Sequence, residues 1–360
     1  MEKIYIAGAH SRAQTLKVYL NYLYPNIIIE AFLVTDIAEN ELVIDGIPVI
    51  LIEKGLQTEY PVYIGTRGAN HKKMIEALQL VGIKTIIPVT VDLDSKLRNE
   101  YVHKFYQQND RNLQLIDECK QNVIRSLTEY GKTATIYVAT SIYDKPLQNK
   151  YEFTADERVI QVGASLTTER IYKSVLVDCE GDNISAKNRQ YCELTGLYWL
   201  WKHAKEDFIG LVHYRRHFML PENWKEKMED NHIDVILPVP LYVAPSIDGN
   251  YRSRHISTDW EYLIRYFKKN FMEEYNFFEM FLNGNLYSPC NMFVMRRNVL
   301  HDLCNWLFPI LDEVVQHGGK KEDIYLNRYP GFISERLISY FFERHRDKYK
   351  IAYANKNFLM

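Results

Sequence analysis

The sequence predicts an α/β protein of two domains, and three observations carry that prediction. Strand-like and helix-like patterns alternate through residues 1–117, which argues for a parallel sheet with helices on its faces. A polar, helix-prone bridge, residues 118–133, interrupts the pattern, and "TATIYVATSIYD" then begins a fresh strand. The stretch 134–360 is long enough for one further α/β domain of ordinary size.

The elements of the first domain follow in order. Ile4, Tyr5 and Ile6 are β-formers, and after a turn at Gly8 the residues Leu16, Tyr19, Leu20 and Leu23 recur at helical spacing. "IIIEAFLVTD" reads as a second strand and "VIDGIPVILIE" as a turn with a short strand. "PVYIGTRGANHKKMIEALQLVG" reads as strand then helix, and "KTIIPVTVDL" as a further strand. The result is a small Rossmann-like unit. Its first turn, "GAHSRA", has one glycine where a dinucleotide fingerprint needs three for close approach to a pyrophosphate, so NAD is not expected there. A structural role is preferred to a degenerate nucleotide or regulatory site. "VDLDS" contains a DxD pair, Asp92 and Asp94. Such a pair after a strand can hold a divalent metal on a sugar-nucleotide diphosphate, but three residues are a weak signal, and a strand-end or helix-cap role is the simpler reading.

Composition narrows the function classes. A net charge of −2 with 25% charged residues gives no basic excess to hold nucleic acid. The 27 tyrosines suit stacking on sugars or bases, though most are expected in the core. None of the five cysteines falls in a CxxC pair, so they read as reduced thiols rather than a zinc ribbon. "MEKIYIAGAH" enters a strand directly without a leader, and no apolar run reaches a membrane span. A cytoplasmic protein is expected. The basic, aromatic tail "ERHRDKYKIAYANKNFLM" is compatible with peripheral contact to an anionic membrane face.

The second domain carries the chemistry. After the apolar run "SVLV", Asp178, Glu180 and Asp182 form a polar loop, and a helix is expected from Ser185 or Ala186 with Tyr191, Leu194, Tyr198 and Trp201 on its core face. Asp182, Asn183 and Ser185 are helix-capping types, and they also stand where open α/β sheets bind ligands. In "IGLVHYRRHF" a buried strand ends in two arginines between two histidines. His213 and His217 are spaced for a helical zinc pair, but Arg215 and Arg216 between them would repel a dication. Strand alternation would put His213 and Arg215 on one side and Tyr214 and Arg216 on the other. Ion pairing of both arginines with carboxylates is one reading. The other is a diphosphate site, since each guanidinium donates paired, charge-assisted hydrogen bonds. "NMFVM" is a further strand. Tyr287, Ser288, Cys290 and Asn291 precede it, and the Asn291 amide is suited either to bridging two sugar hydroxyls or to a turn. "YPGFISERLISYFF" is a Pro-Gly turn and a helix with Ile333, Leu337, Tyr340 and Phe341 buried. Its Glu335 either favours the helix dipole or acts as a general base.

In their order, "IYVATSIYDKPL", "QVGASL", "GDNISAKNRQYCELTGLYWLWK", "FIGLVHYRRHF", "NMFVMRR" and "GFISERLISYF" resemble a family of bacterial glycosyltransferases, long labelled a domain of unknown function and found with capsule, exopolysaccharide and O-antigen enzymes. The resemblance covers residues 134 to about 345. It implies an A-type glycosyltransferase fold with a mixed central sheet. It also implies a nucleotide-diphosphate donor, UDP-galactose or UDP-galactofuranose among the candidates, and a lipid-linked glycan acceptor at the inner face of the membrane. The donor would lie across Ala139, Thr140, Ser141, Gln161, Gly163, Asp182 and Asn183. His213, Arg215 and Arg216 would face the diphosphate, Asn291 and Tyr287 the acceptor, and Glu335 would serve as base. The sequence requires no cofactor; a divalent Mn or Mg ion, where one is used, would fall to Asp178 or Asp182. Ser141 stands where the family shows histidine, which alters any donor contact made there. The first domain is similar to the Rossmann-like domain that precedes some sugar acyltransferases, on its strand pattern and "IGTRGANHKKMIEAL". A non-catalytic scaffold that binds sugar nucleotides is the alternative from another class, and a phosphosugar transferase is a third.

Overall fold

The structure, a computed structural model, describes residues 2–38, 40–121, 131–148 and 150–359. Contacts divide the chain into two compact units, Met1–Leu113 and Gln114–Met360. Most of the expected helical bridge, residues 122–130, lies outside the described residues.

The first unit runs β1 (Glu2–Ala7), α1 (Ser11–Leu23), β2 (Ile27–Val34), β3 (Val43–Ile44), β4 (Ile47–Leu51), β5 (Val62–Ile64), α2 (His71–Leu80), β6 (Ile86–Pro88) and α3 (Val91–Gln107). Its sheet order is β3-β4-β2-β1-β5-β6, parallel except at the β3–β4 hairpin. Asp45 and Gly46 both take positive φ, 49° and 79°, as a tight hairpin turn requires. Leu16, Tyr19 and Leu20 are buried as their spacing demands. Asp92 and Asp94 sit in the first turn of α3, where the Thr90 hydroxyl accepts from the Leu93 amide, so the DxD pair marks a helix start.

The second unit begins with β7 (Ala134–Thr140), β8 (Glu157–Gln161), β9 (Leu176–Val177), α4 (Asn188–Tyr191), α5 (Leu194–His203), β10 (Phe208–His213), α6 (Trp224–Asp230) and β11 (Val235–Pro238). It continues with β12 (Leu241–Tyr242), α7 (Ile247–Arg252), α8 (Ser257–Asn270), α9 (Met272–Asn283), β13 (Leu286–Tyr287), β14 (Phe293–Arg296), α10 (Arg297–Gly318), α11 (Tyr329–Arg344) and β15 (Ile351–Ala354). The main sheet is ordered β15-β11-β14-β10-β7-β8-β9. It is parallel except for β14, which runs against both neighbours. In β10 the residues Phe208, Ile209, Leu211 and Val212 are fully buried, because both faces of the sheet are covered. The predicted stripe of α11, Ile333, Leu337, Tyr340 and Phe341, is buried too.

The chain steps outward from β7 to β8 and β9, then returns to the other side of β7 as β10. The two crossovers diverge there, so the β7–β10 boundary is a topological switch point with a crevice at the strands' carboxyl ends.

One expected element is broken. The single helix expected from Ser185 to Trp201 is two helices, because Cys192 takes φ 50° and ends α4. The Asn188 amide holds the break by donating to the Cys192 carbonyl (2.7 Å) and the Thr195 hydroxyl (3.0 Å). Cys192 and Glu193 are thereby turned toward the crevice.

Candidate active site

A cavity of about 910 Å³ opens in the second unit at this switch point, within the size range of small-molecule sites. The end of β7 and the following loop supply Ala139, Ser141, Asp144 and Lys145. The helix break supplies Cys192 and Glu193, the end of β10 supplies His213 to Arg216, and the stretch before α11 supplies Lys320, Lys321 and Arg328. Seven cations (Lys145, Arg189, Arg215, Arg216, Lys320, Lys321, Arg328) line it against three carboxylates (Asp144, Glu193, Glu322), so it favours an anionic ligand.

The arginines reach the cavity by a turn. His213 and Arg216 exchange backbone hydrogen bonds of 3.1 and 3.0 Å, which close a hairpin over Tyr214 and Arg215. The expected alternation therefore stops at His213, and Arg215 and Arg216 line the same cavity instead of opposite faces. Among the described residues neither guanidinium forms an ion pair, and Arg215 Nε is buried without a partner. Aromatic rings border both: Tyr214 lies 4.5 Å from the Arg215 guanidinium carbon, and Phe358 lies 5.8 and 5.4 Å from those of Arg215 and Arg216.

The cavity's ionisable groups are pushed in different directions. Burial raises the Asp144 pKa to about 6, although the Ser141 amide donates to it at 2.7 Å and Arg215 and Arg328 attract its anion. Burial also opposes ionisation of Glu193. His213, and the Asn291 amide at 2.8 Å, outweigh it and hold that carboxyl below its usual range. Burial depresses the pKa of His213 against the pull of Glu193, and Arg216 adds to the depression. The imidazole Nε2 donates to the Cys290 carbonyl. Asp144 is the carboxylate poised near neutral pH, which is where a proton acceptor is most effective.

The structure gathers Ala139, Ser141, His213, Arg215 and Arg216 of the predicted residues and places the rest elsewhere. Thr140 donates to the Val138 carbonyl. Gln161, fully buried, ties down the 169–171 loop through Glu169 and Ile171. Asn183 bonds the Cys179 and Gly181 carbonyls, and Asp182 accepts from Tyr198. Asn291 corrects the sugar-contact expectation: it is 2% exposed, and its amide is used by Glu193, Gly331 and Ser334. Tyr287 is buried against the Arg336 guanidinium. Glu335 does not line the cavity; burial raises its pKa and its carboxylate pairs with Arg336 at 3.0 Å. The two histidines of the motif do not face a common point: His217 is buried, bonds Glu157 at 2.6 Å and lies against the tilted Tyr151 ring.

The residues expected to hold a metal do not fit one. The Asp178 carboxylate is fully buried and accepts from the Gly163 and Ala164 amides and the Ser185 and Thr195 hydroxyls. Those four donors leave no lone pair directed at a ligand. Asp182 is solvated, with Lys202 3.9 Å away. Among the described residues no cluster of three His, Cys, Asp or Glu is arranged to hold a metal.

Sequence reasoning missed Asp144, Glu193, Lys145 and Arg328. Asp144 was within reach, since it stands three residues past Ser141 in the loop at a strand's carboxyl end, where the ligand rule points. Glu193 was hidden in an apparently continuous helix.

Residues 135–346, which include every one of these cavity residues, match the family model described as a domain of unknown function, DUF4422. The chain belongs to this family. The DUF4422 match takes in β8 to β14, nearly all of β7, and α4 to α11, and leaves the first unit and β15 outside. Among solved structures, the apo structure of WbbM, a bifunctional glycosyltransferase, is similar at 26% identity with a TM-score of 0.54. The likeness covers 63% of this chain and 45% of that one, so this chain matches less than half of WbbM. No curated protein matches it.

Proposed function

We propose that the chain is a hexosyltransferase of the A-type fold, moving a sugar from a UDP-linked donor onto a glycan acceptor. The observation that carries this reading is the pair of guanidiniums, Arg215 and Arg216, lining the cavity at the switch point of the second sheet without an ion pair among the described residues. The diphosphate lies against these two cations, and Lys145 and Arg328 also line the cavity. Each charge-assisted contact contributes roughly 1.5–3 kcal/mol. Galactose or galactofuranose is the sugar, and capsule or exopolysaccharide assembly on a lipid-linked acceptor is the setting that the family resemblance favours. No helix among the described residues is long and apolar enough to cross a membrane, so contact with the inner face would be peripheral.

The chemistry follows from the charges. An acceptor hydroxyl attacks the anomeric carbon and its proton passes to Asp144, the role expected at first of Glu335. The bond from the anomeric carbon to the diphosphate oxygen breaks, and the electron pair leaves on UDP. The fixed guanidiniums stabilise the charge that develops there, without reorganisation. No step is assigned to a metal.

Replacing Arg215 and Arg216 together by Ala tests the proposal. Release of UDP from donors should be lost while the second unit still folds. Turnover equal to the parent's would remove the assignment, and a parent protein that binds donors but releases no UDP would be a scaffold.

A further inference from the structure

After β15 leaves the edge of the sheet, the chain does not run free. Asn355 to Leu359 lies antiparallel along Arg215–Met219. The Met219 amide donates to the Asn355 carbonyl (2.8 Å), the Asn357 amide to the His217 carbonyl (3.0 Å) and the Leu359 amide to the Arg215 carbonyl (2.8 Å). The Asn357 side chain closes the ladder by accepting from the His217 amide at 3.0 Å. Beneath, His217 is locked by Glu157 and by the Tyr151 ring. The segment therefore holds the backbone of the turn that presents Arg215 and Arg216. It also sets the Phe358 ring against both guanidiniums, at 5.8 and 5.4 Å, while 52% of that residue stays exposed. A phenylalanine this exposed gains little from burial. Its place over two cations is what it contributes. The whole segment lies outside the residues matched by the family model.

We infer that residues 355–359 form a positioning strap for the diphosphate site, with Phe358 holding the two guanidiniums in their binding geometry. The inference rests on the phosphate role proposed above for Arg215 and Arg216. Two long side chains of like charge, side by side, repel each other and sample many rotamers. A ring face that attracts both narrows that sampling before the ligand arrives. The ligand then binds to an arrangement already formed, and the strap contributes affinity without touching it. Phe358 is thus a positioning residue and not a catalytic one.

The test is calorimetric titration of the full chain with inorganic pyrophosphate and with UDP. Phe358→Ala should weaken both by about three- to tenfold, the scale of exposed cation–ring contacts. Phe358→Leu, which keeps apolar bulk but has no ring face, should weaken them equally, and Phe358→Tyr should restore the parent's affinity. The urea midpoint of all three should match the parent's. In turnover, the loss should fall on KM for the donor and leave kcat within about twofold. Pyrophosphate binding by Phe358→Ala as tight as the parent's, or tighter because the ring masks the site, would overturn the strap. So would full affinity in Phe358→Leu. Arg215→Ala with Arg216→Ala, titrated alongside, separates the two levels. If that variant loses pyrophosphate while Phe358→Ala does not, the strap fails and the phosphate site stands. If it binds pyrophosphate as the parent does, the phosphate site itself fails, and the strap with it.

Discussion

Asp144→Asn should make the protein more stable and less active, and the two effects should share one pH dependence. In the folded chain the Asp144 pKa is about 6, against 3.8 for an ordinary aspartate, with burial the leading cause. The sign follows from linkage. A folded pKa above the unfolded one means that the folded state binds the proton more tightly, so stability is lost as pH rises through the interval from 3.8 to about 6. At 1.36 kcal/mol per tenfold change in ionisation constant, the full loss is about 3 kcal/mol above pH 7, and solvent at the cavity mouth lowers it toward ~1–2 kcal/mol. Asparagine keeps an acceptor for the Ser141 amide and removes the charge, so it recovers this penalty.

The assay is urea unfolding followed by tryptophan fluorescence. All five tryptophans, Trp199, Trp201, Trp224, Trp260 and Trp306, lie in the second unit, so the signal reports on the unit that holds Asp144. At pH 8 the variant should be the more stable by about 1–3 kcal/mol, and near pH 4 the difference should vanish. Transfer by the parent should rise with pH through an apparent pKa near 6 in kcat/KM, and this limb should be missing from the variant's residual activity. A stability difference that does not change between pH 4 and pH 8 would refute the reasoning, because a neutral Asp144 has no charge for asparagine to relieve.

Two further predictions concern the scaffold beneath the cavity. Asp178→Asn leaves an amide among four donors that all point at a carboxylate, so the same fluorescence assay should show a loss of roughly 3 kcal/mol. Gly163→Ala meets both a φ of 67° and the Asn188 side chain, whose Oδ1 would lie 2.6 Å from the new Cβ. It should cost about 2 kcal/mol and weaken UDP binding measured by calorimetry, because Asn188 lines the cavity.

What the sequence disclosed and what it withheld divide along physical lines. The strands of the first unit, and β7, β10 and β14 of the second, were legible because short runs of Ile, Val, Tyr and Phe need no partner to be recognised, whereas β8, β11 and β15 were not read; "FIGLVHYRRHF" announced its guanidiniums by their cost at the end of a buried strand. The hairpin over Tyr214 and Arg215 was not legible, since neither residue favours a tight turn. It is imposed from outside, by the Tyr214 amide on the Ala139 carbonyl and by the bonds of Asn357 and Leu359, which lie more than 130 residues away in sequence. The break at Cys192 has the same origin. Cysteine ends helices no more than its neighbours do, and it is the Asn188 amide that captures its carbonyl. Asn291 misled for a related reason: an amide committed to Glu193 and Ser334 is indistinguishable in sequence from one that greets a sugar. The errors therefore concentrate where a residue's role is set by what the fold brings to it. The cavity is such a place throughout, because its cations come from four separate stretches, near residues 145, 189, 215 and 320–328, that only the switch point of the sheet assembles. A ligand with charge spread over several oxygens is what such a convergence can bind and a single motif cannot, so under the proposed function the diphosphate, and not the sugar, would be the part of the donor these residues specify.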